Sequence, residues 1–174
     1  MKCYAKINIG LNILDKRQDG YHNIETIFAP VDIYDEIEFE DSDEILMESN
    51  IDWLPLDEKN ICFKAAKILH EKYAPGKGIK IILTKKSPIG AGLGGGSSDG
   101  AAVLKELNVR WNLKLSHIEL SEIALSLGSD VPYFLKNGVA YAKGRGELLS
   151  YLDVELPYYI VVVYPNLAVS TKWA

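Results

Sequence analysis

Between Cys3 and Ile13, apolar and polar positions alternate almost without fault. Cys3, Ala5, Ile7, Ile9, Leu11 and Ile13 fall on one face; Tyr4, Lys6, Asn8, Gly10 and Asn12 fall on the other. A period of two over this length predicts a half-buried strand. Residues 15–20 are polar and turn-prone, and a second extended stretch follows through Ile24, Thr26 and Phe28. Residues 36–40 alternate again and continue the sheet. The period then changes: Ile61, Ala65, Ile68 and Leu69 form one stripe and predict a helix over 60–72. Residues 78–84 make a short β-branched strand, and a helix is expected from about 99 to 108. Ser116 and Glu119 have capping-box spacing for a further helix, which Gly128 stops. Residues 138–142 and 158–164 read as closing strands, the second a buried one. Strands first and helices afterwards predict an α+β sandwich, a mixed sheet with helices packed on one side. No internal repeat or low-complexity segment interrupts it.

At 174 residues the chain fits one domain with a real core. Hydrophobic content of 48% against 25% charged residues separates it from disordered chains. A net charge of −5 argues against a nucleic-acid partner while leaving room for a basic pocket and a small anionic substrate. Cys3 and Cys62 match no metal-ligand spacing, so buried free thiols in a reducing compartment are expected. No apolar run approaches the ~20 residues of a membrane helix. The N-terminus lacks the order of a secretory signal, and a cytoplasmic location without membrane contact is expected. The chain stops at Ala174, ten residues after the last predicted strand and without tail-like composition, which suggests a piece of a longer protein.

The strongest chemical signal is Pro88-Ile89-Gly90-Ala91-Gly92-Leu93-Gly94-Gly95-Gly96-Ser97-Ser98. Five glycines in seven positions cost backbone entropy on ordering, so something must require them. Glycine lets the main chain approach a ligand closely and turn its N–H groups inward as an anion nest. Ser97 or Ser98 is expected to cap the following helix, whose free N–H groups and dipole also favour phosphate. A Walker loop would end in Gly-Lys-Ser/Thr, but Gly96 precedes Ser97 here. Gly90, Gly92 and Gly95 satisfy G-x-G-x-x-G, yet no second parallel strand with its acidic end follows the helix. A protein-kinase loop lies in a hairpin, not before a helix.

The string from Pro88 to Ala102 resembles the ATP-binding motif of the GHMP kinases, the superfamily of galactokinase, homoserine kinase and mevalonate kinase. Two further segments narrow the likeness: Ala5 to Leu11 followed by Asp19 to Thr26, and Leu127 to Phe134. Together they resemble the member that phosphorylates a cytidyl-bearing alcohol in non-mevalonate isoprenoid synthesis. The resemblance implies a ribosomal-protein-domain-like α/β sandwich spanning residues 1–174, with the family's C-terminal domain absent from this chain. It also implies use of ATP with Mg2+, the metal held mainly by phosphates and water because no carboxylate cluster is evident. Ala91 stands where the family usually has glycine, and Gly100 where alanine is usual.

By the same resemblance Asp130 is the general base toward the substrate hydroxyl and Lys6 its cationic partner. Read alone, Asp130 before Pro132 fits a helix cap equally well, and Lys6 a solvated lysine. Asn8 shares the Lys6 face and would contact substrate, against the plainer reading of a strand-edge hydrogen bond. Tyr21 and His22 match the cytosine-binding corner, where the tyrosine ring stacks on the base; otherwise Tyr21 packs over the core. Thr171 matches a threonine facing the substrate, and Trp173 is a candidate for a second stacking aromatic. Another GHMP kinase acting on homoserine or mevalonate, or a nucleotide-binding remnant without catalysis, are the competing readings. Oligomeric state is not legible.

Overall fold

The computed structural model describes residues 1–165. Its elements run β1 (Lys2–Lys16), β2 (His22–Glu40), β3 (Ile45–Ser49), α1 (Ile61–Tyr73), β4 (Ile79–Thr84), α2 (Gly95–Arg110), α3 (His117–Leu127), α4 (Tyr133–Lys136), β5 (Ala140–Lys143) and β6 (Leu148–Tyr151). The sheet follows the order β3-β4-β2-β5-β6, with β1 on β2. Only β3–β4 is parallel among these pairs, so the sheet is mixed, as expected.

Period two decides which sheet face is covered. On β4, Ile79, Ile81 and Leu83 are buried, while Lys80 points the other way and pairs with Glu40 and Glu48 at 3.2 and 3.0 Å. The buried face packs with Phe28 and Ile37 of β2 against Ala65, Ala66 and Leu69 of α1 and Ala101, Leu104 and Leu107 of α2. Asn60 caps α1 by accepting from the Cys62 N–H at 2.9 Å. The Ser116–Glu119 capping box of α3 is complete, and Gly128 closes that helix with an N–H to the Ala124 carbonyl. Both cysteines are free and buried, and burial pushes the Cys3 thiol up to about 12. Among the described residues, no helix is long and apolar enough to cross a membrane.

Four expectations need correction. The closing strand over 158–164 is not formed: the segment pairs with no described strand, and Tyr159 and Val161 stand in solvent. β-branched and aromatic composition supplies propensity, but a strand exists only where a partner edge takes its N–H and C=O groups. Ile9, Leu11 and Ile13 were expected on a covered face, yet all three are exposed, because β1 and β2 continue there as a ribbon with no helix over it. α2 begins at Gly95, four residues early, so Ser97 and Ser98 sit inside its first turns and Gly94 is the cap, with no side-chain bond. Asp130 does not cap α4 either; Pro132 occupies that position. Strands β3 and β6 had no predicted counterpart, each being only a few residues long.

Candidate active site

β1 leaves its first pairing register between Tyr4 and Lys6, and this bulge turns Lys6 inward beside buried Ala5. The Lys6 N–H donates to the Leu93 carbonyl at 2.8 Å, stitching β1 to the glycine segment. Its Nζ reaches Asp130 Oδ2 at 3.3 Å, donates to Asn8 Oδ1 at 2.6 Å and sits 4.7 Å above the Phe28 ring. Asn8 Nδ2 donates in turn to Thr26 Oγ1 at 3.1 Å, and Thr26 donates to the Gly10 carbonyl at 2.7 Å. Lys6 is therefore buried with its charge matched, while the Asp130 side chain keeps 33% of its surface open to an incoming group. The arrangement places a partly open carboxylate within ion-pair reach of a fixed, buried lysine.

Gly90, Gly92 and Gly94 all have positive φ, near +70°, which strains any other residue type. Ala91 has no positive φ, so alanine in place of the family's glycine carries no backbone penalty. Gly94 is also constrained by space: a Cβ there would lie 2.8 Å from the Phe134 ring and 3.3 Å from Lys6 Cε. Its other side faces a cavity of about 430 Å³ lined by Pro88, Ile89, Gly90, Ala91, Gly92, Leu93, Gly94, Gly95, Gly96 and Ser97, and closed by Leu54, Pro55, Asn60 and Ile61. Ser98 is buried behind this wall. One glycine thus separates the cavity from the Lys6–Asp130 pair.

Beneath the glycine segment lies a charged network that sequence reasoning missed. Lys85 Nζ donates to Asp35 Oδ2 at 2.5 Å and to Asp99 Oδ2 at 2.8 Å. Asp35, fully buried, also accepts the Lys86 and Ser87 N–H groups and the Ser87 hydroxyl at 2.6–2.7 Å. A Cβ on Gly95 would come within 2.5 Å of Ser87 Oγ, so the start of α2 rests directly on this network. Asp99 Oδ1 has no hydrogen-bond partner among the described residues. Burial, reinforced by the Asp35 charge and opposed by Lys85, raises the Asp99 pKa to about 7. The signal in the sequence was a lysine two residues before Ser87 at the head of the glycine run.

At the far end of β2, Tyr21 and His22 are exposed. Tyr21 does not pack over the core; the Arg145 guanidinium sits 4.5 Å from its ring centroid instead. Thr171 and Trp173 lie outside the described residues. Among those described, no group of three His, Cys, Asp or Glu side chains is placed to hold a metal ion.

Residues 60–138 match the family model described as the GHMP kinases N terminal domain. The chain is 53% identical to the 4-diphosphocytidyl-2-C-methyl-D-erythritol kinase of Pelodictyon phaeoclathratiforme, over all of this chain and 61% of that protein. It is 54% identical to the protein of the same name from Chlorobium chlorochromatii, over 99% of this chain and 60% of that one. The chain therefore spans about three fifths of the length of these curated relatives. A crystal structure of 4-(cytidine 5'-diphospho)-2C-methyl-D-erythritol kinase superposes with a TM-score of 0.76 at 35% identity, covering 89% of this chain and 55% of that one. Mevalonate kinase of Methanococcus jannaschii superposes with a TM-score of 0.65 at 20% identity, covering 89% of this chain and 56% of that one, a likeness of fold alone.

Proposed function

Because the chain carries the N-terminal domain of the GHMP kinases, we propose that it forms the phosphate-binding and catalytic half of an ATP-dependent kinase acting on the 2-hydroxyl of 4-diphosphocytidyl-2-C-methyl-D-erythritol. The observation that carries this reading is the Lys6–Asp130 contact on one flank of Gly94, with the glycine-lined cavity on the other. In-line phosphoryl transfer asks a protein to bring an alcohol to the γ-phosphate and to stabilise spreading negative charge. The cavity receives the triphosphate against main-chain N–H groups and the N-terminus of α2. Asp130 accepts the proton of the 2-hydroxyl as its oxygen attacks phosphorus, and Lys6, in contact with that carboxylate, steadies the developing alkoxide. Asn8 orients Lys6 and faces the acceptor, while Tyr21 and His22 receive the cytosine ring. Mg2+ travels with the phosphates. The setting is the cytoplasm, with a small-molecule acceptor and no nucleic acid or membrane as partner.

The test is ADP release from this chain with ATP, magnesium and the cytidyl acceptor. Turnover is expected with that acceptor, and Asp130→Ala should lower kcat by at least ~10²-fold. Phosphorylation of homoserine or mevalonate instead would replace the acceptor assignment, and unchanged turnover in Asp130→Ala would overturn the mechanism. Nucleotide binding without turnover of any alcohol would leave a binding domain.

A further inference from the structure

The turn joining β5 to β6, residues 144–147, reads Gly-Arg-Gly-Glu. Its backbone is fixed from both sides. The Gly144 carbonyl accepts the Ile24 N–H of β2 at 2.7 Å, and the Gly146 N–H returns to the Lys143 carbonyl at 3.0 Å. Gly144 and Gly146 both have positive φ, and they hold Arg145 at the apex between them. This apex lies between two parts of the site. On one side its guanidinium stacks over Tyr21. On the other, a Cβ on neighbouring Gly146 would lie 3.5 Å from Asp130 Oδ1.

Arg145 has a long ion pair, to Glu147, and lies within charge range of Asp19. Its Nε is buried without a hydrogen-bond partner among the described residues. Glu147 comes no nearer than 4.0 Å to Nε, and its other oxygen is taken by the Arg145 main-chain N–H at 2.5 Å. Asp19, the neighbouring acid on the β1–β2 connection, is engaged by Arg17 through both oxygens at 3.1–3.2 Å. A buried guanidinium donor with no acceptor is costly unless a ligand supplies one. The Arg145 guanidinium carbon lies 4.5 Å from the Tyr21 ring centroid, and a guanidinium is a planar fork of donors that suits a bidentate grip on phosphate oxygens.

We propose that Arg145 is a specificity-determining residue that binds the diphosphate of a nucleoside-diphosphate acceptor. The inference rests on the function proposed above and adds a residue to it. The order of groups in space, Tyr21, Arg145, Asp130, repeats the order of chemical parts along such an acceptor: base, diphosphate, reacting alcohol. An acceptor lacking the diphosphate leaves the Arg145 fork unpaired and is discriminated against.

The test is calorimetric titration of this chain with cytidine 5′-diphosphate and, separately, with cytidine. The parent is expected to prefer the diphosphate, with affinity falling as salt rises. Arg145→Gln should lose on the order of 10- to 100-fold for cytidine 5′-diphosphate while its affinity for cytidine holds. Arg145→Lys should recover part of the loss, keeping charge without the planar fork. Retention of the diphosphate preference in Arg145→Gln overturns the proposal. Equal loss for both ligands also overturns it, since Arg145 would then only buttress Tyr21. Failure of the parent to bind either ligand removes the cytidyl reading itself, a result distinct from both.

Discussion

Lys6 is held at both ends of its own residue, by Leu93 through the main chain and by Asp130 through Nζ. Lys6→Met therefore keeps the backbone stitch and removes only the charge. It should cut turnover sharply with little change in the folded population, read by circular dichroism beside the ADP assay. Tyr21→Ala should raise KM for the cytidyl acceptor more than for ATP, because the ring is exposed and supports no core; equal increases would point to packing. Asp99 makes a prediction about pH. Its folded pKa of about 7 lies above the ordinary value of 3.8. Between these values the unfolded chain loses the proton and the folded chain keeps it, so this group's contribution to stability declines as pH rises from about 4 to 7. Above 7 the full penalty is present. Urea midpoints should accordingly show Asp99→Asn gaining on the parent between pH 5 and pH 8; a constant difference would contradict the assignment of that proton to Asp99.

At the scale of elements, the glycines separate into those needed for conformation and those needed for space. Gly94→Ala meets both conditions: a left-handed φ, worth roughly 1–2 kcal/mol, and a ring 2.8 Å away. It should weaken nucleotide binding as well as stability. Gly100 in α2 is a matter of space alone. An alanine there, usual in the family, would meet Ile61 Cγ1 at 2.9 Å, so the side chain of α1 occupies the room that the missing methyl leaves. Gly100→Ala gains up to ~1 kcal/mol of helix propensity but overpacks that contact at a cost of ~1–3 kcal/mol. A lower melting temperature is expected, partly restored when Ile61 is also shortened. Ser116→Ala, by contrast, should cost ~1 kcal/mol through the lost α3 cap and leave catalysis untouched.

For the molecule as a whole, legibility followed the range of the forces involved. Local signals fixed α1, α3 and β4 to within a residue or two, since caps and periodicity act over one or two turns. The meeting of Lys6 with Asp130 was legible only through resemblance, because 124 positions separate them (130 − 6). The Asp35–Lys85–Asp99 network joins β2, α2 and the loop after β4 and has no periodic trace, and Arg145 shows in sequence merely as a cation between two glycines. The strand expected over 158–164 failed for the opposite reason: its composition was right and its partner was missing. The 19-residue β2 ties the distant features together. One end adjoins Tyr21, and the other carries Asp35 under the start of α2. A strand advances ~3.3 Å per residue and alternates its sides, so it works as a ruler with marked faces. Between Pro30 and Tyr34, β2 advances four positions while β1 advances two, so a deletion there would change this irregularity as well as draw the two ends nearer by roughly 3 Å per residue removed. The spacing between the Tyr21 corner and the glycine-lined cavity is thus written in the length of a single strand.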